Sequence, residues 1–222
     1  MADEDPVFET TTGPVRVITA ASLFDGHDAA INVMRRLIQS SGAEVIHLGH
    51  DQSAKAVVDC AVQEDAHAVA LTSYQGGHVE YFSYIRELLD EAGCEHVRIF
   101  GGGGGTITPP EIRTLHQAGI SKIYSPDDGR SMGLLGMIHH LMGQAAEVDL
   151  ISDERLTSLN GPVTPEDMAK VGLLLTLSES AEDAAFKAAL ETCRSSSKEV
   201  PVIGFTGTGG AGKSSLLDEL ML

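Results

Sequence analysis

Five times within the first 142 residues a short run of Val, Ile, Leu and Ala gives way to an amphipathic stretch. No other feature of the chain excludes so many folds. The strand candidates are 15–20, 44–48, 68–72, 97–100 and 122–124; the helical patterns between and after them cover about 28–41, 53–64, 78–92, 108–118 and 129–142. A strand followed by a helix and another strand in the same sheet needs a crossover, so the alternation predicts a doubly wound five-stranded parallel sheet with helices on both faces. In the first helix Ala30, Val33, Met34, Leu37 and Ile38 recur at spacings of three and four and predict the buried stripe. Gly42 is its stop signal, Ser53 and Thr108 read as N-caps, and Pro109-Pro110 suits a first helical turn.

Ligands of such sheets sit beyond the carboxyl ends of the strands, near the point where strand order reverses. The loops to search are therefore 22–27 (SLFDGH), 49–52 (GHDQ), 73–77 (SYQGG), 101–108 (GGGGGTIT) and 125–129 (SPDDG). Composition narrows the ligand. The 222 residues carry a formal net charge of −17 with no basic run, which argues against nucleic acid as a partner. Cys60, Cys94 and Cys193 form no C-x-x-C pair and read as reduced thiols. The first 14 residues lack a signal-peptide pattern and no 18-residue apolar window exists, so the expectation is a cytoplasmic protein without a membrane partner. The expected organisation is a flexible 1–13, a sheet domain over 14–142, a helical linker with one or two helices over 143–200, and a new unit at 201–222.

That last unit contains Gly207-Thr208-Gly209-Gly210-Ala211-Gly212-Lys213-Ser214-Ser215, which fits G-x-x-x-x-G-K-[ST] between a predicted strand at 202–205 and a predicted helix at 214–221. The glycines let backbone N–H groups converge on phosphate oxygens and the helix start adds a positive dipole. The pattern assigns Lys213 to the β- and γ-phosphates and the Ser214 hydroxyl to Mg²⁺, with Gly207, Gly210, Ala211, Gly212 and Ser215 completing the nucleotide cradle. A working NTPase also needs an acidic Mg²⁺ ligand, a base-recognition motif and most of a sheet, none of which fits after Gly212.

The second constellation is Asp25-Gly26-His27-Asp28, placed where the first strand runs out. An Asp two residues before a His on a loop can accept from one imidazole nitrogen. It then orients the ring and raises the basicity of the other nitrogen, the usual support of a metal-bound His. A surface His beside a helix cap is the plainer reading. Gly76-Gly77 and the run Gly101-Gly102-Gly103-Gly104-Gly105 remove bulk from the same edge, which suits a large or extended ligand pressed against main chain.

D-x-H, then Ser73, then Gly-Gly resembles the signature of cobalamin-binding domains of the mutase and methionine-synthase type, over residues 14–142. Ala30 stands where that pattern has Gly, and Gln75 where Ser73-Tyr74-Gln75 would end in Leu. The resemblance implies a flavodoxin-like (Rossmann-type) sheet. It makes His27 the lower axial ligand of cobalt in a base-off/His-on cofactor, with Asp25 hydrogen-bonded behind it. The displaced nucleotide tail would thread past Ser73 and along Gly101–Gly105. A cobalamin domain followed by a phosphate loop is further similar to the fused isobutyryl-CoA mutase family, in SYQGGHVEYF (73–82) and GTGGAGKSSLLDEL (207–220) alike. That resemblance implies adenosylcobalamin, a GTPase with GTP and Mg²⁺ that gates cofactor loading, an acyl-CoA substrate barrel in the same polypeptide, and a possible homodimer. The activity implied is the radical interconversion of isobutyryl-CoA and n-butyryl-CoA. With no barrel, these residues would hold the cofactor but no catalytic residue.

Other readings are a cobalamin carrier without mutase activity, a mutase for another acyl-CoA such as methylmalonyl-CoA, and a flavodoxin-like signalling domain. The last wants a Lys at a late strand end, which SPDDG does not offer. His47 and His50 read as cavity-lining or capping residues. His139 and His140, Tyr81 and Tyr84, and Cys60 read as packing.

Overall fold

A computed structural model describes residues 6, 8–164, 166–180, 183–193 and 203–221. The central sheet contains β3 (Arg16–Ser22), β4 (Glu44–Gln52), β5 (Ala68–Thr72), β6 (Arg98–Gly102) and β7 (Lys122–Tyr124). Its order is β4-β3-β5-β6-β7, and every pairing is parallel. This is the doubly wound order with its reversal between β3 and β5. Neighbouring residues of one strand serve opposite faces. Val17, Ala68, Ala70 and Phe100 enter the layer beneath α1 (Asp28–Ser40) and α5 (Pro126–Ala146). Ile18, Val69, Leu71 and Ile99 enter the layer beneath α2 (Ala54–Gln63), α3 (His78–Glu91) and α4 (Pro109–Gln117). Burial on both faces is why the strands read as unbroken apolar runs. Each fully buried Val or Ile contributes roughly 1.5–3 kcal/mol.

Several boundaries differ from the sequence reading. Ahead of the sheet, β1 (Glu9–Thr10) pairs antiparallel with β2 (Gly13–Pro14), and Phe8 packs against the α1/α5 layer. The stretch 1–13, expected to be flexible, is thus partly paired; residues 1–5 and 7 lie outside the described residues. Gly101 and Gly102 belong to β6 rather than to a loop, because β5 and β7 pair with them on either side. The buried face of α1 carries Ile31 and Ile38, while Val33 is half exposed. The stripe is therefore offset from the one read through Ala30 and Val33. SPDDG, expected as a loop, is a helix start. Ser125 and Asp128 form a capping box with Pro126 in the first turn, so α5 begins three residues before Gly129 and breaks at the left-handed Gly133.

Among the described residues of 143–200, where one or two helices were expected, there are three after the end of α5: α6 (Asp153–Ser158), α7 (Met168–Glu179) and α8 (Asp183–Cys193). Leu159, Leu173, Leu177 and Cys193 form their shared core. The amino end of the sheet ties to them through Asp65, which is buried and left-handed (φ 46°). Asp65 accepts from Arg155 Nη2 at 2.5 Å and Thr176 Oγ1 at 2.7 Å, and Thr176 accepts from Arg16 Nη2 at 2.6 Å. Burial, with nearby guanidinium charge acting the same way, pushes His67 and His96 down to about 4. Both imidazoles beside this network are therefore neutral at neutral pH.

Beyond it lies α9 (Lys213–Met221). Residues 203–205, expected as strand, are irregular, because a strand exists only against a partner and no described residue pairs with them. Val202 lies outside the described residues. Among the described residues no helix is long and apolar enough to cross a membrane.

Two glycines of the run test how β6 reaches the carboxyl edge. A Cβ on Gly103 would lie 1.9 Å from the Ser73 carbonyl oxygen, whereas a Cβ on Gly105 meets nothing within 4 Å. Denaturant melts should show Gly103→Ala losing about 3 kcal/mol, with Gly105→Ala close to wild type. Equal stabilities would mean that β6 and the Ser73 loop do not approach as described.

Candidate functional site

The loops after β3 and β5 emerge side by side at the reversal of strand order. Ser22 Oγ donates to Ser73 Oγ across the gap at 2.9 Å, both residues buried. The Ser73 N–H donates to the Gly102 carbonyl at 2.9 Å, which draws the glycine run alongside. Between these loops Asp25 is wholly buried. Its Oδ1 accepts from the His27 N–H at 2.9 Å and faces His27 Nδ1 at 2.7 Å, and its Oδ2 accepts from the Tyr74 N–H at 2.6 Å.

Burial works to raise the Asp25 pKa, but the Tyr74 and His27 N–H donors and the imidazole outweigh it and hold it below the ordinary carboxylate value. A carboxylate only accepts, so Nδ1 of a neutral His27 must carry the proton and donate. Nε2 is then the lone-pair nitrogen. The side chain of His27 is 66% exposed, so a ligand can approach the imidazole from outside. The ring lies against Tyr74, 5.6 Å between centroids. Tyr74 also borders an apolar cleft of about 260 Å³ that runs between α1 and α5 to the end of β6. Ile31, Met34, Phe100, Tyr124, Met137 and Leu141 form its walls, with Gly101, Gly102, Gly103 and Gly104 on the sheet side.

The structure brings most of the sequence candidates together. Asp25, His27, Ser73, Tyr74 and Gly102 are linked by hydrogen bonds. Gly26 and Gly76 leave open space, and Gly77 supplies the left-handed start of α3. Gln75 contributes its carbonyl to His78 Nδ1 at 3.1 Å. Asp28 opens α1, where its carbonyl takes Asn32. The glycine run has a reason beyond ligand space. A Cβ on Gly101 would strike Phe82 at 2.4 Å, Gly103 touches Ser73, and Gly104 is left-handed at φ 56°. His47 bonds Thr19 Oγ1 at 2.9 Å and His140 bonds Tyr124 Oη at 2.9 Å, so neither stands free at the site. Sequence reasoning missed Ser22, the walls contributed by α5, and Asp51, whose carboxylate accepts from the Phe24 N–H at 2.6 Å. Asp51 lies in 49–52, expected as a loop but part of β4 in the structure, and no spacing rule marks it.

The phosphate-loop candidates lie together on an exposed loop and helix start. Gly210 and Gly212 are left-handed at φ 76° and 78°. Lys213 Nζ donates to the carbonyls of Gly207 and Thr208, each at 2.9 Å. Ala211 N–H turns back to the Thr208 carbonyl, and Ser214 and Ser215 lie in the first turn of α9.

The description "B12 binding domain" matches residues 15–126, from the start of β3 to the start of α5. The chain belongs to the B12-binding domain family. The B12-binding domain has relatives among mutases. A fused isobutyryl-CoA mutase of Geobacillus kaustophilus (strain HTA426) is 50% identical over 216 residues, 93% of this chain and 19% of that protein. A fused isobutyryl-CoA mutase of Cupriavidus metallidurans (strain CH34) is 53% identical over 207 residues, again 93% and 19%. The 2-hydroxyisobutanoyl-CoA mutase small subunit of Aquincola tertiaricarbonis is 30% identical over 115 residues, 51% of this chain and 82% of that subunit. The chain thus spans about a fifth of the length of the fused mutases it matches.

Because the folded Asp25 pKa is depressed, its contribution is fully present above the unfolded value of about 4 and drains away as pH falls through the lower folded value. Asp25→Ala strips the Tyr74 N–H of its partner and should cost about 1–3 kcal/mol at pH 7. The gap to wild type should narrow below about pH 4, as read by denaturant melts. A gap of constant size from neutral to strongly acidic pH would contradict the ionised, hydrogen-bonded carboxylate.

Proposed function

We propose that this chain is the adenosylcobalamin-holding part of an acyl-CoA mutase that interconverts isobutyryl-CoA and n-butyryl-CoA, with His27 as the lower axial ligand of cobalt in the base-off/His-on state. One observation carries the reading: the buried Asp25 carboxylate occupies Nδ1 of His27, leaving Nε2 as the lone-pair nitrogen of an exposed imidazole that rests on Tyr74 at the edge of an apolar cleft. The residues present fit the group. A neutral imidazole nitrogen is a good cobalt donor, a carboxylate behind it is the support such ligands use, and the cleft offers an apolar path next to main chain. The names of the two fused relatives support the choice of substrate.

In this reading Asp25 holds the Nδ1 proton and the ring orientation of His27, and burial keeps water from competing for that hydrogen bond. Ser22 and Ser73 keep the two loops in register. Ile31, Met34, Phe100 and Leu141, with Gly101–Gly104 on the sheet side, line the apolar path that would take the displaced nucleotide tail. Adenosylcobalamin supplies the carbon-centred radical through homolysis of its Co–C bond. Gly207, Gly210, Ala211, Gly212, Lys213, Ser214 and Ser215 open a GTPase unit that takes GTP, with Ser214 on Mg²⁺, and governs cofactor loading. The acyl-CoA binds a substrate barrel elsewhere in the polypeptide, in a homodimeric assembly.

The test is an EPR spectrum of the chain with cob(II)alamin, taken with natural-abundance and with ¹⁵N-labelled histidine. The nitrogen splitting should change from triplets to doublets on labelling, and His27→Ala should abolish this label dependence. Splitting that ignores the label means base-on or no binding. Base-on binding would make the domain a carrier that hands cobalamin on; no binding would leave only the phosphate loop of this reading.

A further inference from the structure

We propose that Asp51 is a positioning residue for His27: its carboxylate clasps the backbone of Phe24 and so aims the segment that carries the imidazole. This deepens the cobalt-ligand reading and rests on it. Phe24 and Asp51 are left-handed at φ 63° and 57°, and Asp65 is the only other non-glycine residue in that region among the described residues. L-residues avoid this conformation. The two are bonded to one another's segments. The Phe24 N–H donates to Asp51 Oδ1 at 2.6 Å, and the Asp51 N–H returns to the Asp25 carbonyl at 3.3 Å.

Phe24 is 78% exposed, so burial does little to hold it in this conformation. The partner side of the clasp is built for reach. Thr19 pairs with His47, Ala20 with Gly49 and Ser22 with Gln52, so β4 carries extra residues at two irregularities where β3 carries none. Such bulges re-aim a strand next to a site. Gln52 is then anchored, its carbonyl accepting from Tyr81 Oη at 2.9 Å on α3. Asp51 is thus tied to the body of the sheet on one side and to the His27 loop on the other. Asp25 sets the rotation of the imidazole, and Asp51 sets the position of the backbone beneath it.

The test uses the full chain with cob(II)alamin as the EPR probe and adenosylcobalamin as the titrant. Asp51→Gly removes the carboxylate yet permits the left-handed backbone, and Asp51→Asn keeps an acceptor oxygen. Asp51→Gly should weaken cobalamin binding about tenfold or more and reduce the fraction of cob(II)alamin with histidine splitting, while Asp51→Asn matches wild type. If wild type shows the label-sensitive splitting and Asp51→Gly equals it in affinity and spectrum, the positioning role is wrong and the ligand reading stands. If wild type shows no such splitting, the ligand reading falls and this inference with it. Should Asp51→Gly not fold, Asp51→Ser, whose hydroxyl is too short to replace the carboxylate, carries the same expectation. Amide exchange on the cobalamin-free wild type needs no variant. The Phe24 amide should be protected, and exchange at the rate of a free loop amide would overturn the clasp.

Discussion

One carboxylate, wholly enclosed, organises the carboxyl edge of this sheet. Asp25 could not be buried alone, because an unpaired charge out of water is far costlier than any packing around it is favourable. It is stable there because its own chain and the neighbouring loop each aim N–H groups at it. The loops after β3 and β5 must therefore lie together. The Ser22–Ser73 bond and the approach of Gly103 to the Ser73 carbonyl are the steric and polar terms of the same closure. Once the loops are closed, the proton on His27 Nδ1 is fixed, and the direction of its other nitrogen with it.

Much of this was legible in the chain. Strands covered on both sides leave unbroken apolar runs, so the alternation reported the fold class. Asp25 and His27 sit two apart on one loop, so their hydrogen bond was readable as local geometry. What escaped was set by distant partners. The register irregularities of β4 arise from its pairing with β3, and no local pattern betrays Asp51. The face that α1 buries depends on α5, which is why Ile31 rather than Ala30 or Val33 points inward. The glycine run was legible as a need for space. What fills that space at 101 and 103 is Phe82 and Ser73, known only once the sheet is assembled. At SPDDG the capping residues Ser125 and Asp128 are present in the chain itself, but the same run of Ser, Pro, Asp and Gly also fits a loop.

The two ends of the sheet use buried aspartates differently. Asp25, at the carboxyl end, is satisfied by two main-chain N–H groups and one imidazole. Asp65, at the amino end, is satisfied by the side chains of Arg155 and Thr176, which come from the helices that follow the B12-binding domain. His67 and His96 stay neutral beside it, so the guanidinium of Arg155 faces no competing imidazolium. One aspartate thus serves the ligand edge, and the other fastens the next helices to the sheet.

The main-chain character of the first arrangement bears on inheritance. Tyr74 meets Asp25 through its amide, not its phenol, and any residue but proline brings the same N–H to that place. Gly103 presses on the carbonyl of Ser73, another feature every residue shares. The walls of the cleft can therefore drift in descent while the bearing of the imidazole is handed down, since beyond the two aspartates the groups that set it are main-chain atoms.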